Sequence, residues 1–346
     1  MIMKVCIHCF NDEELKQFII TNSTENGKCD YCNDGTNTDL LDIGELLDFF
    51  AEFIAIFKID PKGIAFSKLI QNDWNLFSGE LECNIILSDI LQSVNSSIVD
   101  PSINVSYIDD ILECTSYWET LKSEIKWNTR FLTNIDKLDE LNWPLLFKQT
   151  VLLSPAELLY RARLHYSGDQ KEFDTNNMGC PDKNVVSAGR ANPQGIPFLY
   201  LSKKMETTLY EIRATFLDDV SVGIFKIKDD CDVVLVDFTE IASAFLNVDK
   251  IVEYAKSMLL KRYISADLSK PIRRYDSELE YIPTQFICEY IRYNNVNAAG
   301  IIFDSSLHVG GKNIVLFDQD KVECISVEKH RVTNVVIEAK SISFDE

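Results

Sequence analysis

The sequence has no run of about 18 uninterrupted apolar residues, so it offers no ordinary membrane-spanning helix. Its start, MIMKVCIHCF, lacks the apolar stretch of a secretory signal, and the expected location is the cytoplasm. Basic residues are scarce: 34 Lys and Arg stand against 54 Asp and Glu, a formal net charge of −20. That balance excludes a protein that grips a nucleic-acid backbone, which needs a basic stripe to release counterions. A local basic pocket for a small anion is still compatible with an acidic envelope. Neither a Gly-x-Gly-x-x-Gly turn after a strand nor a Gly-x4-Gly-Lys-Ser/Thr loop is present, and Gly310-Gly311-Lys312 precedes a strand and reads as a turn.

What is present is ordinary globular material, 46% hydrophobic and 25% charged over 346 residues, enough for two domains. Ten cysteines are not dense in a chain this long, but four form two Cys-x-x-Cys pairs, Cys6/Cys9 and Cys29/Cys32, with nineteen residues between them. This spacing suits a four-thiolate zinc site, each pair presenting two thiolates from one tight turn. Gly27 and Asn33-Asp34-Gly35 supply turn residues, and Asp12 opens a short amphipathic helix between the pairs. The expected unit covers residues 1–38, with Zn2+ in a structural role and His8 facing solvent.

From 39 to 143 the apolar positions recur at three-and-four spacing, which predicts a helical module, with Trp74, Trp118 and Trp127 as core aromatics. No Arg is followed four to six residues later by His there, so a ribonuclease site is not supported. After Pro144 the pattern changes. Strand-like runs (IPFLYLS, VGIFKIK, DVVLVDF, AAGIIFDSS, KNIVLFD, VECISVEK) mix with three helical segments without the cadence of a doubly wound sheet, so residues 144–346 read as α+β.

Within that stretch Arg161 and Arg163 alternate on YRARLH, Arg190 lies in a loop, Tyr200 on an apolar strand, Glu211 on a helix, and Ser305 and Ser306 at a strand end. Read singly, each has an ordinary role: salt bridge, strand core, solvated carboxylate, turn-forming serine. Together they match what cleavage of NAD+ at its nicotinamide requires. Arginines suit a diphosphate, an aromatic ring offers a surface, a carboxylate stabilises an oxocarbenium-like ribose, and a hydroxyl holds the ribose or the nucleophile.

Residues 150–320 resemble the RES domain family, named for its Arg, Glu and Ser. The resemblance lies in YRAR at 160–163, Gly-Arg-x-Asn-x-x-Gly at 189–195, Leu-Tyr-Leu-Ser at 199–202 and the Glu211 helix. It continues in Tyr-Ile-Pro-Thr-Gln at 281–285, Gly-Ile-Ile-Phe-Asp-Ser-Ser at 300–306 and Asn-Ile-Val-Leu-Phe at 313–317. It implies an ADP-ribosyltransferase-like fold with a cleft between two small sheet layers, and an enzyme that consumes NAD+ as hydrolase, phosphorylase or ADP-ribosyltransferase. Many such proteins are toxins held by an antitoxin, and the front of this chain resembles the HEPN-like region attached to some of them. Carried over, Arg190 and Arg161 (or Arg163) would contact the phosphates or ribose, Tyr200 the nicotinamide side, Glu211 the scissile bond, and Ser305 would be the family serine, with Gln285 helping to hold the site. The chain departs from the family in having Ala191 where an aromatic often follows Gly-Arg. The implied partners are NAD+, an antitoxin or regulatory protein, and a second copy of the chain; the rival reading is an inert RES-like domain on a partner-binding zinc and helical module.

Overall fold

A computed structural model describes residues 3–32, 35–148, 150–167, 171–239, 243–270 and 278–336. The chain divides into two compact units, one of residues 1–119 and 240–261, the other of residues 120–239 and 262–346. These cuts differ from the boundaries expected at 38 and 143, because a segment far along the sequence packs into the first core.

The first unit opens with β1 (Lys4–Cys6), α1 (Glu13–Asn22), β2 (Glu25–Gly27) and β3 (Thr38–Asp42), the strands forming a sheet of order β1-β3-β2. Asp12 caps α1 by accepting from the amides of Glu14 and Leu15. The expected turn at Asn33-Asp34 lies outside the described residues. There follow α2 (Leu47–Ala55), β4 (Phe57–Ala65), α3 (Phe66–Trp74), α4 (Glu80–Ser93), β5 (Asn104–Tyr107) and the start of α5 (Asp109–Trp127). The core is aromatic: Phe53 meets Trp74 edge-on at 4.9 Å, and Phe49, Phe50, Phe57, Phe66 and Phe77 are buried around them. Ala244, Ile251, Ala255 and Leu259 join that core.

The purely helical reading of 39–143 needs correction. β4 and β5 pair antiparallel with an irregularity between Ile59 and Ile64, and a Cβ on Gly63 would lie 2.0 Å from the Val105 carbonyl oxygen. Helical spacing of apolar residues on either side masked this hairpin, although Pro61 and Gly63 mark its bulge. Trp127 also departs from expectation: Trp74 and Trp118 are buried, but Trp127 is 67% exposed.

The second unit contains the end of α5, then α6 (Ile135–Glu140), α7 (Trp143–Leu146), β6 (Thr150–Leu152), β7 (Leu159–Leu164), β8 (Leu199–Ser202), α8 (Met205–Glu211), β9 (Asp219–Ile227) and β10 (Val234–Asp237). After α9 (Ile251–Ser269), whose first half belongs to the other unit, come α10 (Ile282–Asn294), β11 (Gly300–Asp304), β12 (Lys312–Leu316) and β13 (Val322–Arg331). All six strand-like runs after Pro144 are strands, and the sequence pattern missed only β6 and the strand under YRAR. The eight strands run in the order β13-β9-β7-β8-β12-β11-β10-β6, with β10 and β11 parallel.

The resemblance implied two sheet layers; the strands instead form one hydrogen-bonded series with a weak seam. β7 and β9 share six register pairs and β8 and β12 share four, but β7 and β8 are joined through one, Tyr160 with Ser202. The half-sheets therefore part beyond Tyr160. On one face Met205, Leu209 and Ile212, spaced for one side of α8, pack against Ala162, Val220 and Val222 of β7 and β9. That packing fixes where the last residue of α8, Glu211, can reach.

The edge strand β13 is fastened at its end. Arg331 grips Asp219 with two bonds, Nε to Oδ1 at 2.6 Å and Nη2 to Oδ2 at 3.0 Å, and Lys329 lies 3.4 Å from Oδ2. The Arg331 guanidinium, followed by Lys329, holds the Asp219 carboxyl down at about 2 against an ordinary 3.8. A depressed carboxyl stabilises the fold above its unfolded value and loses that contribution as pH falls through its folded value. Thermal unfolding followed from pH 7 to pH 2 should show wild type losing stability below about pH 4. Asp219→Asn should melt lower at pH 7 and lose less across that acid window, and equal acid losses in the two proteins would remove the clamp as their cause.

Candidate functional site

A cavity of about 320 Å3 opens at the seam between β7 and β8. Tyr160, Arg161 and Ala162 line it from β7, Tyr200, Leu201 and Ser202 from β8, Glu211 from α8, Asn313 from β12, and Gly189 and Arg190 from the loop ahead of β8. Arg161, Arg190, Tyr200 and Glu211 thus come together from some fifty residues of sequence. Ser305 reaches the site through Glu211 rather than by lining the cavity.

The carboxylate is held from two directions. Ser305 Oγ donates to Glu211 Oε1 at 2.7 Å, and Asn313 Nδ2 donates to the same oxygen at 2.7 Å. Glu211 Oε2 accepts nothing from the described residues. Ser305 is itself oriented, because its Oγ accepts from the amides of Leu307 (3.2 Å) and His308 (3.1 Å), which turns its proton toward Glu211. Behind Asn313, Ser202 Oγ donates to Asn313 Oδ1 at 2.7 Å.

The arginines differ in their surroundings. Arg161 Nη1 is buried with no hydrogen-bond partner among the described residues, and desolvation pulls its guanidinium below the usual arginine range. Arg163 does not line the cavity; its Nη1 donates to the Asn177 carbonyl, and its guanidinium lies 5.1 Å over the Phe173 ring. Of the pair on β7, Arg161 is the one presented to the seam. Arg190 Nη1 donates to the Leu268 carbonyl at 2.7 Å in the last turn of α9, where a cation is favoured.

The Arg190 loop is seated on Tyr200. Its phenol oxygen accepts from the Ala191 amide at 3.0 Å and donates to Asn192 Oδ1 at 2.8 Å, while desolvation pushes the phenol above its ordinary range. A Cβ on Gly189 would lie 2.6 Å from Asn192 Oδ1 and 2.8 Å from the Tyr200 oxygen, so any side chain there would have to displace the bond between them. Gln285 lines no part of the cavity. Its Nε2 donates to the carbonyls of Gly189 (2.8 Å) and Asn192 (3.1 Å), and Thr284 Oγ1 donates to that of Arg190 at 2.5 Å. Gln285 therefore shapes the loop that carries Arg190.

Asn313 and Ser202 carried no role in the sequence reading, although both lay inside quoted motifs. Their signal was a polar residue at the end of an apolar strand, and both are buried.

In the first unit the two cysteine pairs converge. Cys6 ends β1, a turn of 3-10 helix (Ile7–Cys9) delivers Cys9, and the four sulfurs all lie within 4.8 Å of one another. Sγ separations are 4.0 Å for Cys6–Cys9 and 3.5 Å for Cys6–Cys32 and Cys9–Cys29. Four sulfurs placed about 2.3 Å from one ion would be about 3.8 Å apart, so the donor set fits a tetrahedral metal ion. The neighbouring Cys29 sulfur, aided by burial, pushes the Cys6 thiol up to about 12. The Tyr31 amide donates to Cys29 Sγ at 3.4 Å, a bond that favours thiolate. His8 is exposed and stands outside the sulfur set.

A family model described as RES domain matches residues 158–337, just over half of the chain and the whole lining of the seam cavity. No curated protein and no solved structure matches the chain. No described helix is long and apolar enough to cross a membrane.

Elemental analysis of the purified protein should find one metal ion per chain bound through these thiols. Cys9→Ser should lower that stoichiometry and the melting temperature together, since ligation and folding of such a site are one equilibrium. Full metal content in Cys9→Ser would exclude the four-sulfur site.

Proposed function

The chain belongs to the RES domain family, and from that premise we propose that it consumes NAD+ by cleaving the nicotinamide–ribose bond in the seam cavity. The observation that carries the reading is Glu211. One of its oxygens is saturated by Ser305 and Asn313, and the other has no partner among the described residues, in a cavity that two arginines also line. A cavity of about 320 Å3 is at the small end of ligand pockets, which suits the nicotinamide–ribose half of the dinucleotide better than the whole.

In this reading the bond from ribose C1′ to the nicotinamide nitrogen breaks with its electron pair leaving on nicotinamide, which departs neutral. The ribose acquires oxocarbenium character, and the Glu211 carboxylate stabilises it. Water then adds at C1′ and releases a proton, giving ADP-ribose. Arg161 supplies a desolvated cation for the diphosphate, which planar guanidinium donors match in geometry. Arg190, anchored to the end of α9, closes the anion site from the loop side. Tyr200 contributes its ring to the cavity wall while its hydroxyl is spent on the loop.

Loss of NAD+ would make the protein a toxin or defence effector, with a cognate partner restraining it in the producing cell. Four thiolates with no fifth donor suit a structural Zn2+ rather than a catalytic metal, and the first unit would then regulate the enzyme or recruit that partner.

Purified protein incubated with NAD+, with and without inorganic phosphate, should release nicotinamide, and product analysis would assign water or phosphate as acceptor. Glu211→Gln should lower kcat by about 10^2–10^3, the scale of losing one preorganised electrostatic group. Absence of nicotinamide release under both conditions, or an unchanged rate in Glu211→Gln, would defeat the proposal.

A further inference from the structure

We propose that Ser202 and Asn313 form a relay of fixed polarity that holds the Glu211 carboxylate in its working position, Asn313 acting directly and Ser202 acting through it. The inference rests on the NAD+ cleavage reading above and adds two positioning residues to it.

The polarity follows from chemistry alone. An ionised carboxylate only accepts, so the Asn313 group 2.7 Å from Glu211 Oε1 is the amide nitrogen. The amide oxygen must then face Ser202, and the Ser202 hydroxyl, 2.7 Å away, must donate. Reversing the amide would set its oxygen against the carboxylate, so Glu211 decides which way Asn313 points and the Ser202 hydroxyl, by donating to Oδ1, holds the amide there. The partnership is built into the sheet, because Asn313 and Ser202 are opposite each other in the β12–β8 register. Ser202 is 3% and Asn313 7% exposed, in strands whose other residues, Lys312 apart, are apolar or aromatic. Buried polar groups there would be costly without this pairing.

Glu211 needs such support. It is the last residue of a helix of seven, and two residues later Arg213 has a φ of 52°. The helix delivers its backbone but exerts little hold on its side chain. Ser305 grips Oε1 from the β11 turn and Asn313 from the floor of the sheet, so two donors of independent origin define one rotamer. With only Ser305 left, the carboxylate would be free to turn about that single bond, and Oε2 would no longer be aimed consistently.

The test compares nicotinamide release by wild type, Ser202→Ala, Ser202→Thr, Asn313→Ala and Asn313→Asp, with melting temperatures measured alongside. Asn313→Ala should lower kcat at least thirtyfold with KM within threefold. Asn313→Asp, which sets a second carboxylate against Glu211, should be as impaired despite its matching shape. Ser202→Ala should lower kcat three- to tenfold, and Ser202→Thr, which keeps the hydroxyl, should stay within twofold of wild type. The relay is overturned if Asn313→Ala or Asn313→Asp keeps kcat within threefold, or if the Ala and Thr variants at 202 behave alike. Should Asn313→Ala fail to fold, the two variants at 202 decide. If wild type itself releases no nicotinamide, the function fails but the relay is judged by crystal structures of wild type and Ser202→Ala. An unmoved Asn313 amide and Glu211 carboxylate in Ser202→Ala would overturn it, and a displaced amide would support it.

Discussion

A sheet that pairs continuously has no room for a ligand between its strands, and the second unit departs from that rule between β7 and β8. The single register pair between β7 and β8 leaves the strands beyond Tyr160 unjoined. Every other part of the candidate site depends on that gap. Arg161 follows the last paired residue, Tyr200 and Ser202 stand across from it, and α8 packs on β7 and β9 so that its end lies over the opening. A regular ladder would have brought Arg161 and Leu201 into register and closed the cavity.

The site is then completed by a loop that its own bonds, Gly189 N–H to the Asn192 carbonyl and Asn192 Nδ2 to the Ser187 carbonyl among them, hold only in part. The Arg190 loop has no regular structure, and the rest of its support comes from polar groups elsewhere: the Tyr200 hydroxyl, the Gln285 amide and the Thr284 hydroxyl. This use explains why a tyrosine stands on an apolar strand. Its ring fills the wall and its oxygen gives the Ala191 amide a partner. The same logic leaves no room for a side chain at Gly189, because the oxygen that secures the loop occupies that space.

Much of this was legible from residues. The six strand-like runs became strands because β-branched and aromatic residues dominate them between turn signals, and the cysteine spacing announced four converging thiols. The β4–β5 hairpin was hidden because the segment is embedded among amphipathic helices, and periodicity averaged across it follows the majority. Trp127 deceived for a different reason: a large aromatic is usually buried, and no local pattern distinguishes the exception. The distinction between Arg161 and Arg163 lay beyond any spacing argument. Residues two apart on a strand share a face, so only the tertiary positions of Asn177 and Phe173 draw Arg163 away. Asn313 and Ser202 were visible as letters, but their register across β12 and β8 joins positions 111 residues apart.

The energetic arrangement points the same way as the geometry. A buried donor without a partner, as at Arg161 Nη1, costs about 1–3 kcal/mol, and more when the group is charged. Such a cost does nothing for folding, since an apolar residue at that place would be more stable. Asp219, by contrast, is paired with Arg331 and Lys329, and Arg163 has found a carbonyl and a ring. Among the described residues, then, Asp219 and Arg163 are paired, while Arg161 Nη1 and Glu211 Oε2, which line one cavity, are not. Under the proposed NAD+ reading, the anionic diphosphate would take the Arg161 donor and the cationic nicotinamide–ribose end the free Glu211 oxygen, and binding would recover part of what the fold gives up at Arg161.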